Sequence, residues 1–156
     1  MKLKKFAAPL AAAACLALTG CGGDSGISLK TNISYKFAVD TGDSVKITLD
    51  TSDDYSMTSE LPFSVSNDGE VQSQGTFITA ETYENYEEMI ADQDGVEMLD
   101  SGSGNGIEYL FWSYNDAEFN YAVLIKGSDT GLLIGNNVSQ KSAEDCFGRM
   151  TFTLEK

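Results

Sequence analysis

The chain of 156 residues contains no histidine. That absence excludes histidine-based catalytic triads, imidazole zinc sites and the commonest general base at neutral pH. Arginine occurs once, at Arg149, too few for forked recognition of phosphate by a pair. Positive charge is scarce throughout: 10 Lys and Arg face 24 Asp and Glu, a formal net charge of −14. A surface of that sign repels nucleic acid and anionic headgroups, so neither is expected as a partner. Gly-rich phosphate loops, paired-cysteine spacings and internal repeats are missing too. No cofactor or metal is expected. Long hydrophobic runs are also lacking, since the longest, Phe6 to Leu18, has 13 residues. Crossing a hydrocarbon layer takes about 20.

That run has a different use. It follows a basic segment (Lys2, Lys4, Lys5) and is interrupted only by Pro9, as in the core of a signal peptide. It ends in Leu18-Thr19-Gly20-Cys21. An ordinary secretory site wants small residues at −3 and −1, and Leu18 at −3 is bulky. The four residues resemble the lipobox of bacterial lipoproteins, which accepts Leu there and requires Cys after the cut. The resemblance implies a diacylglyceryl thioether on Cys21, cleavage between Gly20 and Cys21, and an anchor in the membrane. Two or three acyl chains hold stably where one holds marginally, because each buried CH₂ contributes about 0.8 kcal/mol. Gly22 is not the Asp that resembles an inner-membrane retention signal.

Cleavage there changes the chemistry of what remains. Residues 1–20 carry three lysines and no acid, so the net charge falls from −14 to −17. Any charged partner is expected to be cationic. Cys15 leaves with the signal, and a lipidated Cys21 leaves Cys146 without a partner, so the fold must rest on its apolar core.

The organisation expected is a signal peptide over 1–20, a flexible tether over 21–31 and one α+β domain over 32–156. Gly22 to Gly26 are loop-forming, and ten such residues span roughly 17 Å as a coil. Ile33, Tyr35, Phe37 and Val39 alternate with polar neighbours, as do Val45, Ile47 and Leu49, which predicts a hairpin with one apolar face. A second hairpin is expected from Leu61, Phe63 and Val65 through Asp68-Gly69 to Val71, with Gly75 marking a bulge. The period then changes: Tyr83, Tyr86, Met89 and Ile90 predict a helix capped by Thr79. Val96 to Leu99 follow, then a glycine-rich turn at Ser101–Gly106. Strands over 107–114, 118–126 and 130–135 are apolar on both faces and so expected to be covered on both sides. Ala143, Cys146, Phe147 and Met150 form a helical stripe capped by Ser139 or Ser142, and 151–154 return to extended structure. The fold expected is an antiparallel sheet of about six to eight strands with a middle helix and a C-terminal helix packed on it.

The order over residues 55–156, above all Leu132-Leu133-Ile134 followed by Ser142-Ala143-Glu144-Asp145-Cys146-Phe147, loosely resembles the PsbP-like and Mog families. That resemblance implies an α/β/α sandwich and an accessory or binding role, with no functional residues to carry over.

Several constellations invite chemistry. Glu81, Glu84, Glu87, Glu88, Asp92, Asp94, Glu97 and Asp100 form an acidic stretch, but Asp92-Gln93-Asp94-Gly95 brings its glycine too early for a calcium loop, and a solvated helix face is favoured. Asp53-Asp54 and Asp116/Glu118 have the composition of glycosidase acid pairs, yet both flank turns. Tyr109, Phe111, Trp112 and Tyr114 would suit a sugar or peptide groove, though core is the favoured reading. Cys146 lies on a buried stripe with no base to activate it. The sequons Asn32-Ile33-Ser34 and Asn137-Val138-Ser139 are expected to be idle in a bacterial lipoprotein. The function expected is therefore a lipid-anchored, extracytoplasmic binding or accessory lipoprotein of the bacterial envelope, not an enzyme. Its partner is expected to be an envelope protein with a basic or neutral surface. The alternative is a small carboxylate-dependent envelope hydrolase.

Overall fold

A computed structural model of the chain describes residues 15–16 and 31–155. The lipobox residues Leu18, Thr19, Gly20 and Cys21 lie outside the described residues, as does the tether up to Lys30. Two antiparallel sheets carry the fold. The smaller contains the two-residue β1 (Cys15–Leu16), β2 (Thr31–Ala38), β3 (Ser44–Asp50) and the late strand β11 (Met150–Glu155), in that order. β2 takes in Thr31, which the sequence had given to the tether. β1 falls within the segment expected to be a signal peptide, and it pairs antiparallel with Thr31 and Asn32.

The larger sheet has seven strands, within the six to eight expected. In spatial order they are β4 (Tyr55–Met57), β5 (Phe63–Asn67), β6 (Glu70–Thr79), β10 (Thr130–Asn136), β9 (Glu118–Ile125), β8 (Ile107–Tyr114) and β7 (Val96–Gly104). Helix α1 (Ala80–Asp92) follows β6, and α2 (Gln140–Gly148) follows β10. Thr79 caps α1 by accepting the Thr82 N–H at 3.1 Å. Ser139, not Ser142, caps α2, accepting the Ser142 N–H at 3.0 Å. Met150 is not part of the helical stripe: α2 ends at Gly148, and Met150 opens β11 in the same core after the chain reverses.

The main core lies between the two sheets. β3 alternates strictly, and Val45, Ile47 and Leu49 are wholly buried against Phe63, Val65 and Phe77 of the larger sheet. Burying each such side chain stabilises by about 1.5–3 kcal/mol. α2 sits on this same inner side through Ala143 and Cys146. The opposite face carries α1, whose Tyr83 and Ile90 pack on Ile78, Leu110, Trp112 and Ala122. The two-faced apolar strands are thus covered on both sides, by a helix outside and by a small sheet with a helix inside.

Two local readings change. The bulge is not at Gly75: Val65 pairs with Ser73 and Ser66 with Val71, so Gln72 is the extra residue. Gly75 instead lies beneath Phe63, whose Cζ would stand 2.3 Å from a Cβ there. The glycine-rich turn is also shorter than expected, because β7 runs through Gly104 and only Asn105-Gly106 turns. Gly102 is glycine because the Tyr109 ring lies over it, 2.7 Å from where a Cβ would be.

Candidate functional site

The carboxylate candidates do not converge. All eight acids from Glu81 to Asp100 are exposed. Among the described residues no three of Cys, Asp and Glu are grouped so as to hold a metal ion. Asp53 and Asp54 sit in an exposed turn with φ of 60° and 65°. Asp53 is bonded to Arg149, Oδ2 to Nη2 at 2.7 Å. Arg149 also donates from Nη1 to the Ser52 carbonyl at 2.8 Å, and its guanidinium lies 4.0 Å from the Tyr55 ring centre. Asp116 and Glu118 flank the β8–β9 turn in exposed positions. Cys146 is wholly buried, and that burial raises its thiol pKa ahead of any other influence. Asn32 and Asn137 of the two sequons are exposed.

The four aromatics of β8 do not share one groove. Strand alternation sends Tyr109 and Phe111 inward, and Trp112 to the outer face beneath α1. Each pair of faces opens on its own cleft. The inner one, of about 340 Å³, lies between the β7–β8 hairpin and the α2–β11 joint and is lined by Ile107, Tyr109, Phe147, Met150 and Phe152. Behind it Phe111, Tyr121 and Phe147 stack in sequence, with ring centres 4.1 and 3.9 Å apart. The Tyr109 hydroxyl donates to Asp100 Oδ2 at 2.8 Å, and this bond, with burial, holds the phenol neutral above its ordinary range.

The outer cleft, of about 290 Å³, opens between α1 and strands β8–β10. Tyr86, Trp112 and Tyr114 supply its aromatic surface, with Tyr86 and Trp112 rings 5.3 Å apart. Gln93, Glu118 and Asn120 supply its polar groups. A link outside the cleft fixes one end of this arrangement: Asn115 N–H donates to the Gly95 carbonyl at 2.9 Å, tying the α1–β7 loop to the β8–β9 turn. A hollow of about 150 Å³ continues from Asn120 and Leu133 across Gly135 to Gln74 and Pro62.

Sequence reasoning named Trp112 and Tyr114 as groove candidates while favouring a core role for them, and it missed Asn120 and Gln93. Asn120 is the polar residue on the outward face of β9, where Ala122 and Leu124 are its neighbours two and four residues on. That break in an apolar face was the available signal. Asn136 was missed as well: its buried amide donates to Ser73 and Ser142 at 3.0 Å and accepts from Val138 and Ser139 N–H, which positions the start of α2. Comparison of the chain with known protein families, characterised proteins and solved structures finds no match.

Proposed function

We propose that this is a lipid-anchored, extracytoplasmic binding protein of the bacterial cell envelope, accessory to another envelope component and not catalytic. The observation that carries the proposal is Leu18-Thr19-Gly20-Cys21 at the end of a 13-residue apolar run that follows three lysines. A domain with a strongly acidic surface suits a neutral or cationic partner and disfavours nucleic acid. The acid pairs offer a hydrolase little: Asp53 is occupied by Arg149, and Asp116 and Glu118 stand exposed beside a turn, without the burial that tunes a general acid.

Radiolabelled palmitate tests the anchor. The chain expressed in bacteria is expected to incorporate label and lose residues 1–20, and Cys21→Ser is expected to accumulate uncut and unlabelled. Processing and labelling of Cys21→Ser would overturn the assignment. Capture from crosslinked membranes is expected to return one stoichiometric envelope protein.

A further inference from the structure

The outer cleft holds an unanswered donor. Trp112 is only 3% exposed, yet its indole N–H makes no hydrogen bond among the described residues. No fully buried side-chain nitrogen or oxygen of those residues lacks a partner. The indole nitrogen therefore reaches solvent, and the opening that Trp112 lines is this cleft. Asn120, its cross-strand neighbour, and Gln93 add two amide side chains that bond nothing else among the described residues. Glu118 is the one charged group on the lining, and no basic residue joins it.

We propose that this cleft binds a neutral saccharide. The indole and amide donors require acceptor oxygens, whereas Glu118 requires a donor. A sugar hydroxyl serves as either, and the C–H face of the ring packs on the half-buried rings of Tyr86 and Tyr114. Other ligand classes fit less well. An anion meets Glu118 and a molecule of net charge −14. An ammonium ion satisfies Glu118 but gives the indole nothing to donate to. A peptide main chain pairs best with an open strand edge, and the floor here is β8, β9 and β10, already paired to one another. Ligand pockets begin near about 300 Å³, so the cleft takes one ring, and the shallower adjoining hollow of about 150 Å³ over Gly135 leaves an open path for a chain to run on. The ligand is accordingly a disaccharide or the end of a longer glycan. This inference rests on the binding-protein reading for its compartment and adds a ligand class to it.

Trp112 is the sole tryptophan, so its fluorescence reports the site directly. The full-length protein in detergent is titrated with maltose, cellobiose and the disaccharide of N-acetylglucosamine, and with choline and tetra-alanine as rival classes. At least one disaccharide is expected to change the emission saturably, with a Kd between about 10 μM and about 1 mM. Asn120→Ala, at a half-buried position on the cleft wall, is expected to keep its circular dichroism and to weaken binding about tenfold, about 1.4 kcal/mol. Trp112→Phe, followed by calorimetry, is expected to weaken it comparably; if that variant does not fold, Asn120→Ala decides. Saturation by none of the disaccharides, saturation by choline or tetra-alanine alone, or undiminished binding in Asn120→Ala overturns the proposal. A captured protein partner together with silent disaccharides overturns only this ligand class and leaves the anchored binding protein standing. Disaccharide binding by a chain that takes up no palmitate does the reverse.

Discussion

Arg149 leaves the end of α2 and reaches across to the segment after β3, where Ser52, Asp53 and Tyr55 receive it. The ion pair itself is weak, because the Asp53 side chain is 77% exposed and water screens it. The bond to the Ser52 carbonyl and the contact with Tyr55 matter more, since the guanidinium is mostly covered. Arg149→Ala is therefore expected to destabilise by about 1–3 kcal/mol in chemical denaturation, and Asp53→Asn by less than about 1 kcal/mol. Arg149→Lys is expected not to restore stability, because an ammonium cannot lie flat on Tyr55 while reaching two acceptors. Equal losses from Arg149→Ala and Asp53→Asn would contradict this division. A second residue, with other buried tyrosines such as Tyr121, contributes to behaviour at high pH. Burial first, then Glu108 and Glu87, pushes the Tyr83 phenol up to about 12 from its ordinary 10.0. Below pH 10 the phenol is neutral whether folded or not. Between pH 10 and about 12 the unfolded chain loses that proton first, so stability is lost as pH rises through this window. Tyr83→Phe is expected to make the denaturation midpoint fall less steeply there than in the wild type. Cys146 supplies a simpler check: iodoacetamide is expected to leave it unlabelled in the native protein and to label it after unfolding.

Among the elements, Gly75 on β6 and Phe63 on β5 show how a strand pair is tightened. Their Cα positions face each other, and the ring fills the space a side chain on Gly75 would need. Gly75→Ala is expected to lower stability by about 1–3 kcal/mol through overpacking, read from urea melts. A neutral result would mean that Phe63 moves aside freely. The same pair marks the boundary of what the sequence could reveal. Alternation in 33–39, 45–49, 107–114 and 118–126 made the strands and their buried faces legible, and the Thr79 cap followed from short-range chemistry, which left the α2 cap open between Ser139 and Ser142. Which sheet each strand joins did not follow, because a buried face does not name its partner across the core. Gly102 and Gly104 read as loop by composition, whereas Gly102 is small to admit the Tyr109 ring. The outer cleft was half legible: the outward face of β8 pointed to Trp112, but Asn120 and Gln93 are polar residues of no distinctive spacing. Only the register of β9 on β8 and the end of α1 bring them beside the indole.

For the molecule as a whole, charge and topology matter most. With 24 acids against 10 bases, self-repulsion works against the compact state at neutral pH. Screening relieves it, so raising NaCl from about 0.01 M to about 0.15 M is expected to raise the melting temperature. A melting temperature that falls with salt would show that the few ion pairs, such as Lys46 with Glu155, outweigh the repulsion. Topology acts on time rather than on energy. β3 pairs with β11, and Met150 faces Leu49 across about a hundred residues of intervening chain. The central strand of the small sheet thus waits, during synthesis, for a neighbour made long after it, and contacts of such sequence separation form slowly. A polypeptide held open by its own topology can be threaded through a narrow export channel before it closes. For the exported lipoprotein we propose, the late arrival of β11 would act as a built-in delay.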